Sequence, residues 1–447
     1  MDGLSLDQLA GIAYGAVSVL KKGKGQNVVV LEFLPKSLSR LVAAKSPFAH
    51  PHPNQAEQQQ PTGDEFLALI LNGIVSSKWK VDHVVQMATV LREVPMTEVQ
   101  SRALVRKIIR FMPEVLLDQL PPLVYQLLLF GGKKGHNFIL DEITKFFNNI
   151  DAVLREQEAK TGAGAEEVEI QEGVSPKEAR QVEGSVILHF NFSIKHDHDL
   201  ALALVKLFRS QGSAAFTPFA LSLMFSLAHI HRFEEKVMDA LRTGILLVFK
   251  DAETIERAEW LAGVVPPRTV DLDVVFTEVV NNSRAGWEYI TQSLVQLGVL
   301  LMDGAARVAV DRPTERAARL GCKILLETFK EHENVRRAIL EQIFSHVVTK
   351  SPTATLFIGL LKDLVEECPH NVLGFLPKVK EVLDYLSLLP LKTAEGLLDA
   401  VKSIISLDDS FRDHLSLVLR KAMFSKSAPS FSFRLFFFLL FFFLIDF

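Results

Sequence analysis

Asp384 to Phe424 reads DYLSLLPLKTAEGLLDAVKSIISLDDSFRDHLSLVLRKAMF, with apolar residues three and four positions apart: Leu397, Leu398, Val401, Ile404 and Ile405. That spacing is the period of an amphipathic helix. It recurs in Leu6, Leu9, Ile12 and Ala13, and in Val84, Val85, Met87, Ala88 and Leu91, and nearly every other segment follows it. The chain is therefore read as all-α, with helices of about 10 to 20 residues. Short breakers separate them: Val94-Pro95, Met112-Pro113, Pro121-Pro122, Pro266-Pro267, Cys368-Pro369 and Leu389-Pro390. Proline lacks the backbone N–H donor and disfavours helix in the residue before it. Such regular punctuation predicts antiparallel hairpins stacked side by side, an α-solenoid, because a stack needs only neighbour contacts where a single bundle must arrange every helix around one core. No crisp internal repeat is visible, so the likeness to HEAT or armadillo arrays is one of texture.

The 447 residues are 48% apolar, enough to bury a core and to exclude disorder for most of the chain. A net charge of -4 excludes a globally basic protein, so any nucleic-acid contact has to come from a local patch. The only cysteines, Cys322 and Cys368, sit in helical apolar patterns, which fits a reducing compartment and rules out a disulfide framework. The first 25 residues lack the basic start and the cleavage site of a secretory signal. Lys21, Lys22 and Lys24 form too short and glycine-broken a run to be an import motif.

Two stretches before the carboxyl-terminal tail depart from the helical texture. Ser46 to Gly63, rich in Pro, Gln and His, is read as a solvated loop, and the acidic Glu156 to Glu178 as a mobile connection. Val182 to Ile194 is ambiguous, since its Val186, Ile187, Leu188, Phe190, Phe192 and Ile194 could equally be a strand by alternation. Beyond Phe424 the pattern breaks. Ser425 to Phe447 carries nine phenylalanines from Phe431 onward, mixed with Leu and Ser, all of them types encoded by pyrimidine-rich codons. Leu435 to Ile445 gives eleven uninterrupted apolar residues, against the roughly 20 needed to cross a bilayer. The expectation is a gene-model artefact in residues 426–447 rather than an anchor.

Chemistry-bearing clusters are few. His189, His196, Asp197, His198 and Asp199 resemble a metal set, but His196 and His198 diverge on a helix, and Asp197 or Asp199 is better placed as a helix start. The pairs His50 with His52 and His229 with His231 have no third ligand nearby. Cys322 lies in a packing stripe with Ile324, Leu325 and Leu326 and is read as a buried structural thiol. Gly131 to Gly135 lacks P-loop spacing and is read as a helix cap and turn. No carboxylate pair, nucleophile triad or cofactor box stands out, so no enzyme, cofactor, metal or small-molecule substrate is expected. Candidate phosphate contacts are Arg102, Arg106 and Arg110, four apart on one face of a helix that also carries Lys107, with the pairs Lys133 and Lys134, and Arg336 and Arg337. The plainer reading of each group is a solvated charged face.

Five blocks carry a family resemblance: Leu120 to Leu128 (LPPLVYQLL), Val182 to Lys195 (VEGSVILHFNFSIK), Trp287 to Gly304 (WEYITQSLVQLGVLLMDG), Leu320 to Thr349 (LGCKILLETFKEHENVRRAILEQIFSHVVT) and Asp384 to Phe424. In this order they resemble the Fanconi anaemia complementation group I family, over most of the chain up to about Phe424. The resemblance implies a helical conformation for Val182 to Ile194. It implies a first solenoid over 1–195 without its amino-terminal cap helices, an inserted helical domain over 196–285, and the start of a second solenoid over 286–425. It further implies a nuclear, non-enzymatic scaffold of interstrand cross-link repair that pairs with the paralogous Fanconi group D2 protein and clamps double-stranded DNA. The family's monoubiquitinated lysine and phosphorylated SQ cluster lie past the divergence, so the ubiquitination machinery acts on a region absent here, and the fragment is expected to retain partner docking only. The competing expectation is a membrane-tethered or general helical-repeat adaptor.

Overall fold

The computed structural model describes residues 3–22, 28–44, 46–48, 61–130, 132–160, 176–262, 270–283, 288–306 and 311–424, and among them every regular element is helical. The chain divides into two compact units, Met1–Ser210 and Gln211–Phe447.

The first unit runs α1 (Leu6–Lys22), α2 (Leu34–Ala44), α3 (Gly63–Ser76), α4 (Val84–Leu91), α5 (Glu98–Arg110), α6 (Leu120–Phe130), α7 (Gly132–Lys160), α8 (Pro176–His196) and α9 (His198–Gln211). Helices two apart in sequence pack together: α1 on α3, α3 on α5 and α5 on α7 in one layer, α2 on α4, α4 on α6 and α6 on α8 in the other. This is the side-by-side hairpin stack that the punctuation predicts. Leu9, Leu38, Phe66, Ile70, Leu104, Ile108, Leu123, Leu127 and Phe190 fill the seam between the layers, each buried Phe or Leu contributing about 1.5–3 kcal/mol before entropy is counted.

Local chemistry sets the helix starts. Thr62 and Thr97 each cap a helix reciprocally: the Thr62 hydroxyl accepts from the Glu65 N–H and the Glu65 carboxylate from the Thr62 N–H, with Gln100 answering Thr97 in the same way at α5. Pro121 and Pro122 are not the separator that the sequence reading makes them. They occupy the first turn of α6, behind the 3-10 turn Leu117–Gln119, where the missing N–H has no intrahelical partner to lose.

The ambiguous Val182 to Ile194 is helix, inside α8. Val186, Ile187, Phe190 and Ile194 are buried while Leu188 and Phe192 are half exposed, a division that only the 3.6-residue period makes. The segment read as a solvated loop contains Phe48, which is buried edge-on against Phe66 at 5.3 Å between centroids; positions 49–60 of that loop lie outside the described residues. The expected connection Glu156 to Glu178 is shorter than read, because α7 continues to Lys160 and α8 begins at Pro176; positions 161–175 lie outside the described residues. The Phe-rich tail does too. Among the described residues no helix is long and apolar enough to cross a membrane.

The second unit runs α10 (Pro218–Ala228), α11 (His231–Ala262), α12 (Leu272–Asn282), α13 (Glu288–Asp303), α14 (Arg312–Glu331), α15 (Glu333–Val348), α16 (Ala354–Glu367), α17 (Pro369–Leu373), α18 (Leu376–Leu383), α19 (Leu391–Ile405) and α20 (Asp409–Met423). Two layers appear again, with α10, α12, α14 and α16 in one and α11, α13 and α15 in the other, and α19 closing on α16. A continuous core runs from Phe329 through Phe357, Leu361 and Leu364 to Phe411 and Leu415. The layers come closest where α13 meets α14. A Cβ built on Gly321 would stand 2.6 Å from the Gly298 carbonyl oxygen, and one on Gly298 2.7 Å from Leu325 Cγ. Only glycine fits at Gly321, because the obstacle there is backbone, which cannot rotate away, whereas at Gly298 the Leu325 side chain would have to shift.

Substituting Gly321→Ala forces α13 and α14 apart along their whole contact. The expected loss is about 1–3 kcal/mol, read as a lower urea midpoint, whereas Gly359→Ala, where a Cβ meets open space, leaves the midpoint unchanged or higher. Equal midpoints for Gly321→Ala and the parent would refute the close-contact account.

Candidate nucleic-acid interface

The structure brings two of the three cationic groups read from the sequence onto neighbouring helices. Arg102, Arg106 and Arg110 are all exposed on α5, one turn apart as their spacing predicts. Arg102 is held by Glu98 at 2.6 Å, and the Arg106 guanidinium lies 5.2 Å from the centre of the Phe138 ring on α7. Lys133 and Lys134 fall in the first turn of that same α7, although their side chains lie outside the described residues. Of the run read as a helix cap and turn, Gly132 to Gly135 fall inside α7, which follows closely on the end of α6 at Phe130, and Gly131 lies outside the described residues.

Lys107, on the same helix, turns the other way. Its ammonium donates to the carbonyls of Ile74 at 3.2 Å, Val75 at 2.6 Å and Ser77, the last carbonyls of α3 and the residue that caps it. The Trp79 ring lies beneath it at 4.5 Å and stacks on Phe111 at 6.0 Å between centroids, while the indole N–H donates to the Ile74 carbonyl at 3.0 Å. Burial pushes the Lys107 amine down to about 8, and the carbonyl bonds at a helix C-terminus oppose that shift by favouring the charged form.

The third group behaves as structure. Arg336 donates from Nε to the Phe329 carbonyl at 2.9 Å and from a terminal nitrogen to that of Lys330 at 3.0 Å, closing the end of α14. Arg337 is exposed and paired with Glu341 one turn on, at 2.9 Å.

The metal-like cluster resolves into caps. The Asp197 carboxylate accepts from the N–H groups of Asp199 and Leu200 at the start of α9, and its other oxygen faces His136 Nε2 at 3.2 Å. His189 lies tilted against the Tyr125 ring at 5.4 Å between centroids, and burial lowers its pKa. Among the described residues no three His, Cys, Asp or Glu side chains are grouped to hold a metal. Cys322 packs against the second unit's core with its thiol 3.9 Å from Asp363 Oδ2, and burial pushes it up to about 12.

Three sequence profiles match the chain in succession: FANCI solenoid 1 over residues 1–195, FANCI helical domain 1 over 199–282 and FANCI solenoid 2 over 290–430. The chain belongs to the Fanconi anaemia group I family. It is 35% identical over 436 residues to the Fanconi anemia group I protein of Gallus gallus, covering 94% of this chain and 32% of the relative. The Mus musculus Fanconi anemia group I protein homolog is 34% identical over 437 residues, covering 93% of this chain and 32% of the relative. The chain thus spans about a third of the length of these curated relatives. A homology model of the full-length AP-3 complex in an intermediate open conformation covers 93% of this chain and 68% of its own at 12% identity, and its TM-score of 0.25 carries no argument. All-helical architecture among the described residues and membership of the Fanconi group I family therefore agree with the resemblance read from the five blocks.

Lys107→Met keeps the apolar stem but abandons three carbonyls, and is expected to lower unfolding stability by about 1–3 kcal/mol, while Arg102→Gln stays within about 0.5 kcal/mol of the parent; a urea midpoint unaltered by Lys107→Met would remove the capping role. Cys322 has a folded pKa raised to about 12 from 9.0, so its contribution to stability is complete below pH 9 and is lost as pH rises through 12. At pH 8 native Cys322 is expected to resist alkylation until urea unfolds the second unit, as mass spectrometry would read; modification as fast as in the unfolded chain would contradict its burial.

Proposed function

We infer that this chain is a non-enzymatic scaffold segment acting in DNA interstrand cross-link repair in the nucleus, where it docks the Fanconi group D2 paralogue and contributes to the clamp on double-stranded DNA. Supporting this is the family itself: 420 of the positions fall within three consecutive group I profiles, counted as 195, 84 and 141. A layered helical stack suits the role, because it offers extended surfaces built from many modest contacts. On this reading the chain is organised as a first solenoid over 1–195, a helical domain over 196–285, the start of a second solenoid over 286–425 and a Phe-rich tail from 426. Of the proposed DNA contacts, Arg102, Arg106, Arg110, Lys133 and Lys134 belong to neighbouring helices, whereas Arg336 is committed to α14 and Arg337 to Glu341.

Co-expression of the 447-residue chain with the group D2 paralogue, followed by sedimentation analysis of the purified mixture, tests the docking. A stoichiometric heterodimer is expected. Two independently sedimenting species at micromolar concentration would defeat the partner assignment and leave a general helical-repeat adaptor as the better reading.

A further inference from the structure

Leu247 stands midway along α11 with 51% of its surface exposed, and it lines a groove of about 840 Å³ between α11 and the start of α14. The α11 wall is a single stripe. Thr243, Leu246, Leu247, Lys250, Glu253 and Arg257 recur at three and four positions, the spacing of neighbours on one helix face. From Thr243 to Arg257 the stripe runs about 21 Å, the length of about six residues of extended chain. Asp311, Arg312, Pro313 and Thr314 form the other wall. Beside the groove Arg316 ties the two helices together, one guanidinium nitrogen meeting both carboxylate oxygens of Glu256 at 2.8 and 3.0 Å.

The lining combines apolar surface with unmatched positive charge. Leu246, Leu247 and Pro313 supply the first. Of the charged side chains, the cations Lys250, Arg257 and Arg312 outnumber the carboxylates Glu253 and Asp311. Both carboxylates are engaged: Glu253 pairs with Arg257 at 2.5 Å, and Asp311 accepts from the Thr314 N–H at 3.1 Å as the cap of α14. Lys250 and Arg312 are different. Among the described residues neither the ammonium nor the guanidinium has an ionic or hydrogen-bonded partner, and both residues are exposed. Asp251, the next residue after Lys250, is turned about 100° away around the helix and does not line the groove.

We propose that this groove docks a short acidic segment of a partner protein, seating a leucine or aromatic side chain on Leu246, Leu247 and Pro313 and meeting Lys250 and Arg312 with carboxylates. Charge complementarity selects the occupant. A basic segment would meet two cations that already lack partners, and a purely apolar one would cover them without pairing them. A nucleic-acid backbone would answer the cations but leave the leucines in water. An apolar residue flanked by carboxylates satisfies both walls, and a stripe of this length admits several residues of peptide. The site lies wholly within the second unit and goes beyond docking of the group D2 paralogue.

The test selects a display library of random peptides, about ten residues long so as to span the stripe, on the full 447-residue chain, with its K250E/R312E variant as counter-selection. Enriched peptides are expected to combine a leucine or aromatic residue with several carboxylates. The best of them, labelled and followed by fluorescence anisotropy, is expected to bind the K250E/R312E chain about tenfold more weakly and the L247S chain about fivefold more weakly. A K402Q/K421Q chain, which loses exposed charge elsewhere in the second unit, is expected to keep the parental affinity. Selection of no peptide, enrichment of neutral or basic peptides, equal binding by the K250E/R312E chain, or an equal loss in the control would each overturn the site. Lys250, Arg312 and Leu247 are all exposed, and thermal melting of the variants checks that the fold survives. The result is independent of docking to the group D2 paralogue, which the sedimentation experiment reads.

Discussion

A helix that stops inside a stack leaves its last carbonyls without partners, and in a layered helical protein this happens at every hairpin. Water cannot always reach them, and a buried carbonyl left bare costs about 1–3 kcal/mol. The chain answers with donors borrowed from a later helix or turn. Lys107 closes α3 from α5, Arg336 closes α14 from α15, and His332, at the start of α15, places Nε2 2.9 Å from the Val280 carbonyl near the end of α12. A carbonyl only accepts, so that His332 nitrogen carries its proton. Each bond does two jobs, satisfying the helix end and fixing the position of the helix that supplies the donor.

This explains why cationic side chains in the sequence divide into two populations that look alike on paper. Arg106 and Lys107 are adjacent, yet one faces solvent over Phe138 and the other turns inward among carbonyls. Arg336 and Arg337 divide in the same manner. A step of about 100° around the helix separates the members of each pair, enough to assign one to the surface and the other to the fold.

Much of the architecture was legible because it depends on local period and punctuation. The spacing of apolar residues marked the helices, and helical neighbours two apart follow from short connections. Most of what escaped the reading depends on contacts between residues far apart in sequence. Phe48 looked like part of a polar loop because its partner Phe66 lies beyond a run of Pro, Gln and His. Lys107 looked like one more member of a basic row because its acceptors are some thirty positions upstream. Pro121 and Pro122 were misplaced by a turn because a helix breaker and a helix starter are the same residue seen from opposite sides.

The glycine contact between α13 and α14 has a mechanical consequence. Side chains that interdigitate across an ordinary helix interface can exchange rotamers and let the helices slide by a small amount, which is how packed helices usually accommodate shear. Gly298 and Gly321 remove that compliant layer, so backbone rests on backbone and axial slip meets a carbonyl at once. The two helices consequently act as one stiff plate within the second unit, and any curvature that unit adopts around a partner must be taken up at the hairpins on either side of it.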